Sequence, residues 1–174
     1  MELVWYFILY SFLGFLLEVA FARLVRAEKK ERKCFVLLPL CPVYGFGALA
    51  ILLLPQWVHR SGPLLVVLGG LAATGTEYLM ALFYERVVGV RFWDYSHLPF
   101  HLQGRVCPQF ALFWGLLAAL LVHRLHPAVM VWTAHIPLGL LPSALLLLAA
   151  DGAYTFALLR ATGDTDSLRW YRRG

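Results

Sequence analysis

Five long apolar runs constrain the fold of this chain more than any other feature. Each is near or above the roughly 20 residues that a helix needs to span a bilayer. Of all residues, 61% are hydrophobic and 14% are charged, whereas soluble domains are about half apolar and a quarter charged. The sequence therefore predicts an all-α, polytopic transmembrane bundle of about five spans. These runs cover residues 3–25, 36–58, 62–87, 107–124 and 128–159.

One domain is expected, at residues 1–160, followed by a basic tail at 161–174. The N-terminal MELVWYF has no basic region, and no small-residue cleavage site follows the first run. We therefore expect a retained helix and not a cleaved signal peptide. In the second run, the regular helix should begin only after Pro42, because proline suits a first helical turn and disrupts a helix interior.

Basic residues are distributed unevenly among the connections. The first connection, the third connection and the tail hold 13 Lys and Arg, and the other two connections hold 2. The positive-inside rule then places the N-terminus outside and the C-terminus in the cytoplasm, as five spans require. We expect a multi-pass protein of the plasma (inner) membrane. Its net charge of +5 is expected to serve orientation and contact with anionic membrane lipid, and not nucleic-acid binding.

Acidic residues within the apolar runs are the strongest indication of a functional site, because charge is costly inside a bilayer. Glu18 and Glu77 each lie about fifteen residues into a run of the same direction, which is about 22 Å of helix. Both should therefore lie in the inner-leaflet half. Asp151 lies near the cytoplasmic end of the fifth run, and Asp94 and Arg105 lie in the third connection. We expect all five to converge at one level.

Two interpretations of this cluster remain open. It could be a buried ion-pair network that only locks the helices together. Alternatively, two neighbouring glutamates would suit a general acid or base, a proton relay or a divalent metal site. The sequence does not decide among these uses, so enzyme activity and any cofactor stay open. The candidate catalytic residues are Glu18, Glu77 and Asp94.

The connection GVRFWDYSHLPFHLQGRVC is far richer than a turn between helices requires. It contains four aromatic residues, an Asp, two Arg and two His. The aromatic residues favour an amphipathic interfacial segment at 89–106. We expect this segment to form the floor or lid of the site, with Asp94 and Arg105 within a side chain's reach of the two glutamates. The candidate substrate-binding residues are Arg105, Tyr44, Trp93 and Tyr95.

Other reactive side chains give weaker signals. The three cysteines form no CxxC, so neither a zinc site nor a disulfide framework is predicted. Glu85 and Arg86 fall at a helix end, where a solvated pair is expected. His123 and His126 have the spacing of a metal pair but lack a third ligand nearby, so we interpret them as interfacial polar residues.

Several phrases, taken in order, resemble one family: LGFLLEV, PVYGFGAL, TEYLMALFYE, and FWDYS followed by GRVC. Over residues 5–125 the chain resembles the CmpB-like membrane family, described as putative ABC-transporter type IV. The resemblance implies a small inner-membrane protein without an attached ATPase domain. This family is in turn similar to VanZ-like lipocone proteins, which are proposed to process lipid or prenyl-phosphate head groups. The residues that match the family's polar pattern are Glu18, Glu77, Trp93, Asp94, Tyr95, Gly104 and Arg105.

The chain departs from the family pattern just before Gly104, where Asn-rich sequence is expected. It has His101, Leu102 and Gln103 there, so any contact that an Asn amide makes with a ligand is altered.

Three functions are consistent with these features. The first, which we favour, is binding or processing of a lipid or prenyl-phosphate head group, with Arg105 gripping the phosphate in bidentate fashion. Three acids against one Arg would repel a phosphate, so this function needs protonated carboxyls or a bound cation. The second is a subunit of an ABC-type transporter, which needs an ATPase partner and, with only five spans, a homodimer. The third is a structural or regulatory membrane protein.

Overall fold

The computed structural model of the chain describes residues 2–25 and 34–169. These residues form four long helices, one helix of 11 residues, and two further helices of four residues each at Gln56–His59 and Thr165–Leu168. Each of the four is long and apolar enough to cross a membrane, which confirms the predicted all-α, membrane-spanning class. The helices are α1 (Glu2–Leu24), α2 (Pro42–Leu52), α3 (Gly62–Val88), α4 (Pro108–Ala134) and α5 (Leu138–Thr162).

Proline fixes where two of the helices begin. Pro42 and Pro108 occupy the first turns of α2 and α4, and Cys41 and Cys107 are the residues that precede these helices. Proline is well placed there because its fixed φ suits a helix and its missing N–H would have no intrahelical partner. The expected start of the second helix after Pro42 therefore agrees with the structure.

The boundary between the last two spans lies about ten residues later than expected. The connection was expected near Arg124, but α4 continues through Pro127 to Ala134. Leu121–Leu125 is a π-helical turn, and such turns bend a helix, so the chain accommodates Pro127 without ending the helix. The helix ends before Pro137, because the residue preceding a proline is disfavoured in the helical conformation.

The second apolar run is not one continuous span. Residues 34–41 are irregular and only then does α2 begin. The Cys41 N–H donates to the Ser11 carbonyl oxygen at 2.9 Å, and Ser11 is near the middle of α1. The irregular segment 34–41 therefore enters the bundle to about half its depth, and α2 starts there.

Asp151, near the middle of α5, is the main support of segment 34–41. Its carboxylate accepts the N–H of Leu37 at 3.1 Å and that of Leu38 at 2.7 Å, and only 4% of the residue is exposed. Thr155, one turn along α5, accepts the N–H of Val36 at 3.1 Å. Non-helical backbone can lie at membrane depth only where the protein supplies such hydrogen bonds.

Small residues bring the helix backbones close together. A Cβ at Gly14 would overlap the Tyr44 ring, so glycine is what lets Tyr44 of α2 lie across α1. In the same way, a Cβ at Gly70 of α3 would lie 2.9 Å from the Ala111 carbonyl oxygen and 3.1 Å from the Cα of Gly115, both in α4. Tight packing of α1 to α4 sets the positions of the side chains described next.

The last residues of α3 and α5 meet at one end of the bundle, where the Arg160 guanidinium donates to the Val87 carbonyl oxygen at 2.7 Å. Residues 89–107 follow α3 at this end. Which side of the membrane this end faces stays a prediction from the positive-inside rule.

Candidate functional site

A cavity of about 240 Å³ lies among α1, α2, α3, α4 and the connection at 89–107. Hereafter it is called the acidic cavity, because two carboxyl groups and several aromatic rings line it. Five of the seven site residues that the sequence indicated are in its walls: Glu18, Tyr44, Glu77, Trp93 and Tyr95. The other lining residues are Leu17, Phe21, Cys34, Cys41, Val43, Phe92, Phe110, Phe113, Trp114 and Leu117.

Glu77 is the more deeply buried carboxyl group, with 4% of the residue exposed. The Tyr95 hydroxyl donates to its Oε1 at 2.9 Å, and the Trp114 indole N–H donates to its Oε2 at 2.8 Å. Both donors are neutral, and no described residue forms a salt bridge with Glu77. A carboxylate has about four acceptor sites, so Glu77 can accept further hydrogen bonds from a ligand.

Glu18 lies across the cavity on α1. The Tyr44 hydroxyl donates to its Oε1 at 2.8 Å. The Tyr44 ring also packs edge-on against Trp114, with 5.0 Å between ring centroids. Trp114 thus donates to Glu77 and packs against Tyr44, which donates to Glu18. Through these contacts one tryptophan positions both carboxyl groups.

Tyr95 is held by the fold of the connection itself. Its N–H donates to the Gly104 carbonyl oxygen at 2.7 Å, and the Trp93 indole N–H donates to the Arg105 carbonyl oxygen at 2.9 Å. Gly104 has φ of +72°, and a Cβ there would lie 2.6 Å from a carboxylate oxygen of Asp94, so both conformation and space require glycine. Apart from one isolated bridge, residues 89–107 form turns and irregular backbone that cover the cavity.

Arg105 lies outside the cavity and is held by Glu85, near the end of α3. Its Nε and Nη2 donate to Glu85 Oε2 at 3.0 and 2.5 Å. Arg91 Nε lies 3.0 Å from Glu85 Oε1, and Arg91 Nη1 lies 3.3 Å from Asp94. The hydrogen bonds that Arg105 donates to the Glu85 carboxylate raise the pKa of Arg105 above its usual value. The pKa of Asp94 is lowered, mainly because the Ser96 N–H donates to its carboxylate.

Five charged residues were expected to come together, but of these only Glu18 and Glu77 line the cavity. Arg105 and Asp94 belong to the ion pairs around Glu85, and Asp151 binds backbone of segment 34–41. The physical reason is that the partly exposed end of α3 offers Glu85 as a partner for the arginines, which spares them burial among apolar side chains. Glu85 and Arg86 were expected to form a solvated pair, but Glu85 pairs with Arg91 and Arg105.

Sequence reasoning missed two further features of the cavity. Trp114 had no assigned role, although an indole N–H within an apolar run needs a hydrogen-bond partner, and that requirement was the available signal.

The second feature is a pair of thiols. Those of Cys34 and Cys41 lie 3.1 Å apart in the cavity wall. No pattern such as CxxC indicated this pair, because segment 34–41 brings them together by an irregular path. His126, expected at an interface, is hydrogen-bonded to Tyr10 at 3.0 Å.

The described residues include no group of three His, Cys, Asp or Glu side chains that could hold a metal ion. Ca²⁺ and Mg²⁺ take six or more oxygen ligands, counting water, and the acidic cavity offers two carboxyl groups surrounded mainly by aromatic and aliphatic side chains. The arrangement suits a ligand that combines a polar or charged group with apolar surface.

Comparison with known families connects this geometry to a class of membrane proteins. The model of one family, described as putative ABC-transporter type IV, matches residues 5–156. The chain belongs to this family. The match includes both glutamates, Tyr44, Trp114 and the whole connection at 89–107. Searches of curated proteins and of solved structures gave no match. The protein is thus a multi-pass membrane protein of a transporter-type family, and the similarity to VanZ-like proteins stays a prediction.

Proposed function

We propose that this protein binds a membrane amphiphile and holds its polar head group in the acidic cavity. The observation that carries the proposal is a cavity of about 240 Å³ lined by two carboxyl groups and by apolar side chains. Some of these apolar side chains are also exposed on the outer surface of the bundle. We place the protein in the plasma membrane, with the cavity towards the cytoplasmic leaflet, from the distribution of basic residues.

The route into the cavity supports a lipid ligand. Leu17, Phe21 and Phe113 line the cavity and are also exposed on the outside of the bundle. In a bilayer, such exposed apolar side chains contact acyl chains. Phe21 of α1 and Phe110 of α4 meet edge to face at 6.5 Å. An amphiphile can leave its tail against this surface between α1 and α4 while its head group enters.

The residues that would contact the head group differ from those expected. Glu18, Glu77, Tyr44 and Tyr95 line the cavity, whereas Arg105 is bound to Glu85. The bidentate grip of Arg105 on a phosphate is therefore not part of the proposal. Glu18 and Glu77 are also the groups able to move protons if the protein processes its ligand.

Mass spectrometry of lipids that co-purify with the protein tests this proposal. We expect one lipid class to be enriched over its share of the membrane, and to be lost on Glu77→Gln. Glu2→Gln is the matched control, because Glu2 is exposed at the other end of α1. A wild-type lipid profile equal to that of the bulk membrane would argue against binding in the cavity.

Transport is a second candidate function, favoured by the family to which the chain belongs. In this role the protein would pass its amphiphile onward as the membrane subunit of an ABC-type transporter, in partnership with an ATPase subunit and as a homodimer. Cross-linking in native membranes, followed by mass spectrometry, should recover a nucleotide-binding subunit joined to Lys29 or Lys30. Recovery of the lipid-bound protein without any such cross-link would count against it.

A further inference from the structure

Two thiols meet in the wall of the acidic cavity. The Sγ atoms of Cys34 and Cys41 lie 3.1 Å apart, and both residues line the cavity. Both are in the thiol form and buried, with 8% and 4% of the residue exposed. A buried cysteine often serves only as a small apolar packing residue. Two thiols in contact can in addition join as a disulfide, which releases two electrons and two protons.

The fold holds this pair together from both sides. Cys34 and Cys41 are the ends of segment 34–41, whose backbone is bound by the Asp151 carboxylate of α5. The N–H of Cys41 is itself bound to the Ser11 carbonyl oxygen of α1. A disulfide bond is about 2.05 Å long, so the two sulfurs need to approach by only about 1 Å.

The acidic cavity gives the pair a route to the bilayer. Leu17, Phe21 and Phe113 line the cavity and are also exposed on the outside of the bundle, so a molecule dissolved in the membrane can enter between them. A cavity of about 150 Å³ is enough to bind benzene. The volume of about 240 Å³ therefore has room for a substituted six-membered ring whose tail stays outside.

The cavity walls suit a planar, electron-poor ring. Tyr95 and Phe110, both in the wall, are stacked with 4.6 Å between ring centroids, and a further ring can pack on such aromatic surfaces. Phe92 and Trp93 pack against the apolar cluster that contains both cysteines. Glu77 retains acceptor sites beyond its bonds to Tyr95 and Trp114, and these sites can receive a ring hydroxyl.

From these observations we propose that the acidic cavity binds the ring of a membrane quinone, and that Cys34 and Cys41 reduce it. Two S–H bonds break and one S–S bond forms between the cysteines. The two electrons and two protons pass to the quinone, whose two carbonyl groups become the hydroxyl groups of a hydroquinone. Glu77 can carry a proton during this transfer. The inference rests on the proposed function, since it names the bound amphiphile as a quinone.

The test uses decylubiquinone, a quinone with one short tail and a fully substituted ring. The whole protein is reduced, freed of reductant and mixed with this probe in micelles. Absorbance measures the hydroquinone formed, peptide mapping without reduction locates disulfides, and native mass spectrometry measures bound probe. We expect the wild type to yield one hydroquinone and one Cys34–Cys41 disulfide per chain.

Variants of the three cysteines separate the pair from other thiols. Cys34→Ser and Cys41→Ser should bind the probe but form no hydroquinone. Cys107→Ser is the matched control, because Cys107 is also buried but is not among the cavity-lining residues. It should form as much hydroquinone as the wild type.

The outcomes separate this inference from the proposal on which it rests. A wild type that binds the probe but forms neither hydroquinone nor disulfide would overturn electron transfer and leave amphiphile binding intact. Absence of bound probe would also overturn the inference, whereas the profile of co-purifying lipids decides the proposed function independently. If the serine variants fail to fold, wild type already oxidised with diamide replaces them. Hydroquinone formed by that oxidised protein, or equally by Cys34→Ser, would show that the electrons do not come from the pair.

Discussion

Replacement of Asp151 by alanine should strongly destabilise the bundle. The change removes the acceptor for the N–H groups of Leu37 and Leu38, at 3.1 and 2.7 Å. Both bonds go to the carboxylate of Asp151, a residue of which only 4% is exposed. A buried donor left without a partner costs about 1–3 kcal/mol, so two donors give an expected loss of about 2–6 kcal/mol in the free energy of unfolding.

Equilibrium unfolding in mixed micelles, followed by circular dichroism, measures this loss. Asp151→Asn keeps one acceptor oxygen and should lose less than half as much. Asp164→Asn, an exposed residue beyond α5, is the control for general effects of removing an acid. If Asp151→Ala unfolds within about 0.5 kcal/mol of the wild type, Asp151 does not support segment 34–41, and the entry of that segment into the bundle is refuted.

Three further predictions address packing, the thiol pair and pH. Gly70→Ala should destabilise the protein by about 1–3 kcal/mol, because its Cβ would meet the backbone of α4. Gly75→Ala is the control and should not destabilise it, because a Cβ there would have no atom within 4 Å. The free energies of unfolding of the two variants, measured in parallel, test this difference. Treatment with diamide should join Cys34 to Cys41, whose sulfurs lie 3.1 Å apart; peptide mapping that finds both thiols still reduced would contradict this. Since the pKa of Asp94 is lowered from 3.8, its carboxylate should stabilise the fold above pH 3.8 and lose that effect as pH falls further; Asp94→Asn should flatten this part of the pH profile.

Much of the fold follows from local sequence, because hydropathy marks the spans and proline marks two helix starts. Pro42 and Pro108 are examples in which the residue alone determines where a helix begins. The later end of α4 was not predictable in the same way, because the π-helical turn before Pro127 is a property of the packed helix.

For the site, depth in the membrane was enough to bring Glu18 and Glu77 together, because helix rise is regular. Which hydrogen-bond or ion-pair partner each of the other charged residues takes was not predictable. Arg105 pairs with Glu85, twenty residues away, and Asp151 binds Leu38 across 113 residues. Such choices depend on which groups the finished fold leaves close together, and neither spacing nor hydropathy carries that information.

The dependence of segment 34–41 on α5 has a consequence for the order of membrane assembly. Residues 34–52 are synthesised well before Asp151, yet the hydrogen bonds that satisfy Leu37 and Leu38 come from it. Until the fifth helix is inserted, this backbone must stay in water or find temporary partners, because lipid offers none. Segment 34–41 therefore reaches its final position only when α5 has been made. A chain truncated before residue 138 would lack Asp151, and its early part would also be unfinished.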